Sequence, residues 1–286
     1  MAASTFEIIQ QNIVSQLEKG VIPWVRCFHV DEAGCAYSHN TQEPYSFINQ
    51  WLLQRPGEYW TFKQAQNEGF HIRKGANAGT IVFWKRLTKT EKKEDSDEEF
   101  VRSFPFLRSY SVFHESDVVG LPPKSALANR EGRNAEKLDI AEAIVESYLA
   151  RNTDISLATS TRSFPSYCPS DGTIRMPEKS QFDSLSDYYD ALFHEMVHST
   201  ARYLNRTHNY GDLEQRAKEE LVAEIGSAYL CGRCGITEKV IKNQTAYCQT
   251  WLNRLRDDIK PLVWASSRAE RAVRYILDEE TPDREG

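Results

Sequence analysis

The feature that most constrains this chain is the segment HEMVH at residues 194–198, in which two histidines are four residues apart. Apolar residues recur around it at helical spacing, and the pair Ser184 and Asp187 upstream is typical of a helix start. Because positions i and i+4 of a helix project from the same face, His194 and His198 can bind one metal ion. Two imidazoles in this arrangement predict a zinc site, with Zn²⁺ as the cofactor.

Glu195 lies between the two histidines in sequence and is the candidate catalytic residue of this segment. Its side chain projects about 100° away from His194 around the helix, where it can act on a water molecule rather than bind the metal. We therefore expect Glu195 to be the catalytic general base of a zinc-dependent hydrolase. The alternative interpretation is a solvated helix face that carries two histidines at the edge of the core.

A catalytic zinc site needs a third protein ligand, and the helical pattern at 214–232 offers two carboxylates. Glu220 and Glu224 are four residues apart beside an apolar stripe, which is unfavourable for two carboxylates unless a cation faces them. The segment around Ala223 resembles the third-ligand helix of glutamate-type zincins. That resemblance implies Glu220 as the ligand and Glu224 as the residue that orients a ligand histidine, and the reverse assignment stays open. Glu219 is interpreted as a solvated helix charge.

The first half of the chain interleaves aromatic and basic residues. The segment 55–93 holds nine Lys and Arg against three Glu, a net charge of +6, although the whole chain carries −6. Rings for base stacking and cations for phosphates are what single-stranded nucleic acid needs. The alternative is that the rings are core residues and the cations lie on an ordinary solvated face. The predicted DNA-binding residues are Trp51, Arg55, Trp60, Lys63, Arg73, Lys74, Trp84, Lys85 and Arg86.

The patterning divides the chain into two domains of an α+β protein. The first half opens with an amphipathic helix and continues with strand-like segments, whereas the second half is dominated by long helical patterns. Prolines, glycines and small polar residues at 120–134 are typical of a boundary. We predict an N-terminal mixed α/β domain at 1–125, a linker at 126–136 and a C-terminal domain at 137–286.

The sequence also predicts where the protein works. No apolar run reaches the ~18–20 residues that a membrane-spanning helix needs. The first residues lack the basic and apolar regions of a signal peptide. Six scattered cysteines do not form a disulfide framework, which favours a reducing compartment. We therefore expect a cytoplasmic protein without membrane association, and the sequence leaves its oligomeric state open.

Several segments, in order along the chain, resemble the ArdC-type antirestriction proteins of plasmids and other mobile elements. The resemblance rests on IPW (22–24), PYSFIN (44–49), YWTFKQAQNEGFHIRKG (59–75), YYDALFHEMVHSTARYLNR (188–206) and EELVAEIGSAYLC (219–231). It implies an N-terminal domain that binds single-stranded DNA, joined to a C-terminal zincin-like metallopeptidase domain.

The function implied by this resemblance is antirestriction. Such a protein would bind single-stranded DNA, act on a protein or peptide substrate, and protect incoming mobile-element DNA from host restriction. Two alternatives stay open. One is a non-enzymatic DNA-binding antirestriction factor whose zinc is structural, and the other is a processing protease or effector whose first domain binds protein.

Overall fold

The predicted α+β class is confirmed by the computed structural model, which describes residues 4–26, 35–92, 99–122, 134–206, 212–236 and 244–280. The helices are α1 (Thr5–Glu18), α2 (Pro23–Arg26), α3 (Phe47–Leu53), α4 (Phe62–Asn67), α5 (Asn134–Arg151), α6 (Leu185–Ser199), α7 (Leu213–Arg233), α8 (Gln244–Leu255) and α9 (Lys260–Leu277). None of these helices is both long and apolar enough to cross a membrane.

The first half of the chain is built on a four-stranded sheet. Its strands are β1 (Ala36–Ser38), β2 (Gly57–Trp60), β4 (Gly79–Lys92) and β5 (Glu99–His114), arranged in the order β1-β2-β5-β4. Strands β4 and β5 form a long antiparallel hairpin that pairs Gly79 with Val112 at its base. A small second sheet joins β3 (His71–Ile72) to β6 (Val118–Val119).

Helix α1 forms where the apolar spacing predicts a helix. Ser4 and Glu7 make a reciprocal capping box at its start, which satisfies backbone N–H groups that the helix itself cannot pair. Ile9, Ile13 and Leu17 recur at intervals of four and are fully buried. The same periodicity therefore defines both the helix and the face with which it enters the core.

The second half of the chain places helices against a three-stranded sheet. Strands β7 (Ser156–Thr159), β8 (Ser166–Cys168) and β9 (Thr173–Met176) lie in the order β7-β9-β8, with β9 parallel to β7 and antiparallel to β8. Helix α6 begins after Ser184, whose hydroxyl accepts a hydrogen bond from the Asp187 backbone N–H. The predicted helix start at this serine is confirmed.

One hydrophobic core spans both halves of the chain. The ring of Trp24 on α2 meets that of Trp251 on α8 at 5.3 Å between centroids, and Phe47 on α3 stacks on Tyr229 of α7 at 4.4 Å. Helices α1 to α3 thus pack on α7 to α9. Most of the predicted linker at 126–136 lies outside the described residues, and α5 begins at Asn134 within it.

Helices α6 and α7 pack closely where a glycine faces a valine. A Cβ atom added to Gly226 of α7 would lie 2.6 Å from Cγ2 of Val197 on α6, closer than real Cβ contacts occur. Val197 is fully buried, so its side chain has little room to turn away. The absence of a side chain at Gly226 therefore sets the separation of the two helices.

This contact predicts a strong energetic coupling between the two positions. Gly226→Ala should lower the free energy of unfolding by about 1–3 kcal/mol through overpacking, in spite of the higher helix propensity of alanine. In a Val197→Ala background the added methyl group should fit, which gives a coupling energy of about 0.5–3 kcal/mol in a double-mutant cycle. Urea denaturation of the four proteins measures it, and additive effects would contradict close packing at this point.

Candidate metal centre and nucleic-acid interface

The structure brings His194, His198 and Glu220 together between α6 and α7. The Nε2 atoms of the two histidines lie 3.1 Å apart, and Glu220 Oε2 lies 3.3 Å from His194 Nε2 and 3.7 Å from His198 Nε2. One donor atom from each residue lies within 4.8 Å of the others. Two imidazole nitrogens and one carboxylate oxygen are a ligand set that zinc uses in catalytic sites, so these residues fit the predicted metal.

The charges around this cluster favour a cation. Hydrogen bonds from His194 and His198 hold the pKa of the Glu220 carboxyl well below its usual range. Burial lowers the pKa of His198, but hydrogen bonds to the carboxylates of Glu219 and Glu220 outweigh it and raise that pKa to about 9. Without a metal ion, the cluster therefore retains a proton on His198 at neutral pH, in the place that a divalent cation would take.

Glu195 lies beside the cluster and contributes to the same cleft. Burial raises the pKa of its carboxyl group, whereas the nearby histidines and a hydrogen bond from the backbone of Tyr167 oppose that rise. The cleft has a volume of about 310 Å³, and its lining also includes Pro165, Ser166, Gln215 and Arg216. A candidate base and a candidate metal centre thus face one open space.

The interpretation of Glu219 as a solvated charge was wrong. Its carboxylate is buried and lies 3.4 Å from His198 Nδ1, while Arg206 contacts it from the other side at 2.9 and 3.1 Å. Helical spacing indicates the burial of Glu219, because Glu219 lies on the same face of α7 as the buried residues Val222 and Gly226. Gly226 packs against Val197 of α6. The stronger periodic pattern in this segment is the neighbouring apolar stripe of Leu221, Ile225, Ala228 and Tyr229.

Further carboxylate and backbone groups lie near the centre. Glu219 is the carboxylate found at the outer nitrogen of His198, and the orienting role of Glu224 stays a prediction. The backbone of Tyr167, a residue that lines the cleft, forms a hydrogen bond with Glu195.

Two of the predicted DNA-binding residues are core residues, so the stacking role predicted for them was wrong. Trp51 is 0% exposed and packs against Trp24 in the shared core. Trp60 is 3% exposed and lies between the rings of His39 and Phe70. Neither indole offers a face to a ligand, because composition alone does not tell which side of an element each ring occupies.

The remaining predicted cations of this half differ in their contacts among the residues that the structure describes. Arg55 donates to Ser116 Oγ at 3.1 Å, and Arg73 is paired with Asp117. Lys63 on α4 and Lys74 in the turn after β3 are exposed. Trp84 on β4 is 46% exposed and meets the edge of Phe6. Arg86 also lies on β4, outside the residues whose side chains are described.

A different aromatic and basic surface lies on one face of the β4–β5 hairpin. Phe83 pairs with Arg108 across the strands, and Lys85 pairs with Phe106, so rings and cations alternate on this face. Lys85 Nζ and Arg108 Cζ lie 6.0 and 5.4 Å from the ring centroid of Tyr110. Phe106 is 48% exposed. We call these five residues the β4–β5 face; only Lys85 was predicted from the sequence.

Each half of the chain matches the model of a known protein family. The N-terminal domain of the anti-restriction factor ArdC matches residues 3–113, and a zincin-like metallopeptidase model matches residues 143–268. Two crystal structures of the antirestriction protein ArdC from plasmid R388, one metal-free and one Mn(II)-bound, are 26% identical to this chain, with TM-scores of 0.70 and 0.69. They cover 98% and 96% of this chain, which covers 100% and 98% of theirs.

Longer relatives share the same two-part segment. Two Escherichia coli proteins named DNA primase TraC are each 29% identical over 95% of this chain, which spans only 20% and 27% of their length. The uncharacterized protein y4eC of Sinorhizobium fredii is 25% identical over 95% of this chain and 91% of its own length.

The fold and the candidate centre thus define a two-part protein whose second half is a zincin-like metallopeptidase domain. The first half is the N-terminal domain of the ArdC anti-restriction factors, and the ArdC structures align with nearly the whole chain. The chain therefore belongs to the ArdC-type antirestriction family, as the sequence motifs indicated.

The raised pKa of His198 predicts that metal binding is linked to pH. Metal binding requires a neutral imidazole, and the pKa of about 9 means that a proton must leave His198 when a metal ion binds at pH 7. We expect the apparent affinity to rise about tenfold per pH unit up to about pH 9. Titration calorimetry with Zn²⁺ in two buffers of different ionisation enthalpy counts the released protons. An affinity that does not change between pH 7 and 9 would contradict this protonation state.

Proposed function

We propose that this protein is a zinc-dependent metallopeptidase that is held on single-stranded DNA and protects incoming mobile-element DNA from host restriction. The observation that carries the proposal is the convergence of His194, His198 and Glu220 in one open cleft with Glu195. Three protein ligands and an accessible cleft are typical of catalytic zinc, whereas structural zinc is closed by four protein ligands. The non-enzymatic alternative is therefore less favoured.

The residues of the cleft would have different roles in peptide hydrolysis. His194 Nε2, His198 Nε2 and Glu220 Oε2 would hold Zn²⁺, which supplies Lewis acidity that activates water and polarises a carbonyl group. Glu195 accepts a proton from the water that attacks the peptide carbonyl carbon. As the C–O bond forms and the C–N bond breaks, Glu195 returns that proton to the leaving amine.

The edge of a β-strand beside the cleft supports a peptide as the substrate. Among the described strands, β8 pairs with β9 alone, and its residues Ser166 and Tyr167 line the cleft. An extended peptide can add to such an edge through backbone hydrogen bonds. This arrangement would present a peptide carbonyl between Glu195 and the metal ligands.

The β4–β5 face supports single-stranded DNA as the partner of the first half. Phe106 offers an exposed ring on which a base can stack, and the partly buried rings of Phe83 and Tyr110 lie on the same face. Lys85 and Arg108 lie between these rings for contacts to phosphates. These alternating cations favour DNA over the alternative of a protein partner. The cytoplasmic location, which access to incoming DNA would require, stays a prediction.

Replacement of the proposed base tests the enzymatic part of the proposal. Glu195→Gln should leave zinc binding intact and lower the rate of peptide cleavage about 10²–10⁴-fold, because proton transfer is lost. Glu214→Gln is the matched control, since this exposed glutamate of α7 pairs with Lys218 on the helix surface. Cleavage of an unfolded protein by the zinc-loaded forms gives the rates. Equal rates for the wild type and Glu195→Gln would exclude this mechanism.

The DNA part of the proposal is tested by removing the two cations of the β4–β5 face. Lys85→Gln/Arg108→Gln should weaken binding of a single-stranded oligonucleotide and reduce the salt dependence of log Kd by about 1.4, since two phosphate contacts are lost. Fluorescence anisotropy at several salt concentrations measures both. Lys218→Gln/Arg256→Gln removes the same charge from two positions of the second half, a partly exposed lysine and an exposed arginine. Equal affinity and equal salt dependence for the two double variants would show that the DNA does not bind the β4–β5 face.

A further inference from the structure

We propose that Glu219 is a positioning residue for the metal ligand His198, and that Arg206 holds it in place. This inference rests on the metal site of the proposed function and not on its peptidase activity. It concerns a buried charged pair behind the centre, on the side of His198 that faces away from Glu220.

The contact between Glu219 and His198 determines how the imidazole is used. Nε2 of His198 faces the other two candidate ligands, and Nδ1 faces Glu219 Oε1 at 3.4 Å. A carboxylate at Nδ1 accepts a hydrogen bond from Nδ1–H, so that the proton stays on that nitrogen. The lone pair of Nε2 is then available to a metal ion in a fixed direction.

Arg206 gives the carboxylate of Glu219 a fixed position and a balancing charge. Its Nε lies 3.1 Å from Glu219 Oε2, and its Nη2 lies 2.9 Å from Oε1, a two-point contact that restricts rotation of the carboxylate. The side chains are only 6% and 9% exposed. A charged group this far from water is costly without a partner, and Arg206 supplies that partner beside His198.

Arg206 also fixes the end of the helix that carries His198. Its Nη2 donates to the carbonyl oxygen of Val197 at 2.7 Å, and its Nη1 donates to Thr200 Oγ1 at 2.9 Å. The Thr200 hydroxyl in turn donates to the same carbonyl of Val197 at 2.7 Å. The guanidinium group therefore joins the last turn of α6 to Glu219 of α7, and it does so directly beside the candidate ligand.

Metal affinity tests the positioning role without any measurement of catalysis. Glu219→Gln should weaken Zn²⁺ binding about 10–100-fold, as is usual when the residue behind a ligand histidine is removed. Competition with a chromophoric zinc chelator gives the dissociation constants. Glu214→Gln, six residues from Glu220 on the exposed side of α7, should bind zinc as the wild type does. A folded Glu219→Gln protein with wild-type zinc affinity would overturn the proposal.

A spectroscopic measurement separates positioning from a purely structural ion pair. Long-range ¹H–¹⁵N correlation spectra of the zinc-loaded wild type should show His198 protonated at Nδ1 and bound to zinc through Nε2, with the Nδ1 proton shifted downfield by its carboxylate acceptor. Glu219→Gln should move that proton upfield. Zinc bound through Nδ1 in the wild type would overturn the proposal even if the variant does not fold.

The outcomes for this inference and for the proposed function are distinguishable. A wild-type protein that binds zinc with His198 protonated at Nδ1, but cleaves no peptide, supports the positioning role and contradicts the peptidase. A wild-type protein that cleaves peptides while Glu219→Gln keeps full zinc affinity contradicts only the positioning role. A wild-type protein that binds no zinc would overturn both.

Discussion

The metal centre depends on the close packing of α6 against α7. The two histidines reside on one helix and the glutamate on the other, so the centre exists only if the helices approach to the reach of a carboxylate. Gly226 makes that approach possible, because it has no side chain to meet Val197. Glu219 and Glu220 lie about two turns before Gly226 on α7, and the close approach of the helices places them beside the histidines. A packing detail in the core thus determines the chemistry at the surface.

The packing of α6 against α7 also determines which charged groups surround the metal centre. Three carboxylates, those of Glu195, Glu219 and Glu220, surround the histidines, and Arg206 balances the most buried of them. In the part of the chain that the structure describes, the carboxylates of Glu195 and Glu220 are not paired with Arg206, and they make the cleft suitable for a divalent cation. The cations of the β4–β5 face belong to the other half of the molecule, and the shared core joins the two halves. In the proposed function, DNA binding and peptide cleavage are therefore carried by one continuous structure.

Local patterns in the sequence predicted much of this structure, and longer-range pairing explains what they missed. Helical spacing was sufficient to find α6, α7 and both histidines, because ligands one turn apart leave a periodic signal. Spacing alone offered Glu220 and Glu224 equally, and the preference for Glu220 came from the resemblance to glutamate-type zincins. The residues Phe106, Arg108 and Tyr110 join Lys85 only through the register of a long hairpin, which composition does not reveal. The prediction for Glu219 was wrong because α7 buries two of its faces. The sequence does not show which face lies against α6, and that face carries the ion pair of Glu219 with Arg206.

The position of zinc in the loaded protein tests the central claim most directly. Anomalous diffraction at the zinc absorption edge, from crystals of the zinc-loaded wild type, locates the ion and its ligands. The account predicts one zinc ion between α6 and α7, at ~2.0–2.1 Å from Nε2 of His194 and of His198 and ~2.0–2.2 Å from a carboxylate oxygen of Glu220. A fourth protein ligand that closes the site, or zinc bound elsewhere in the molecule, would contradict it.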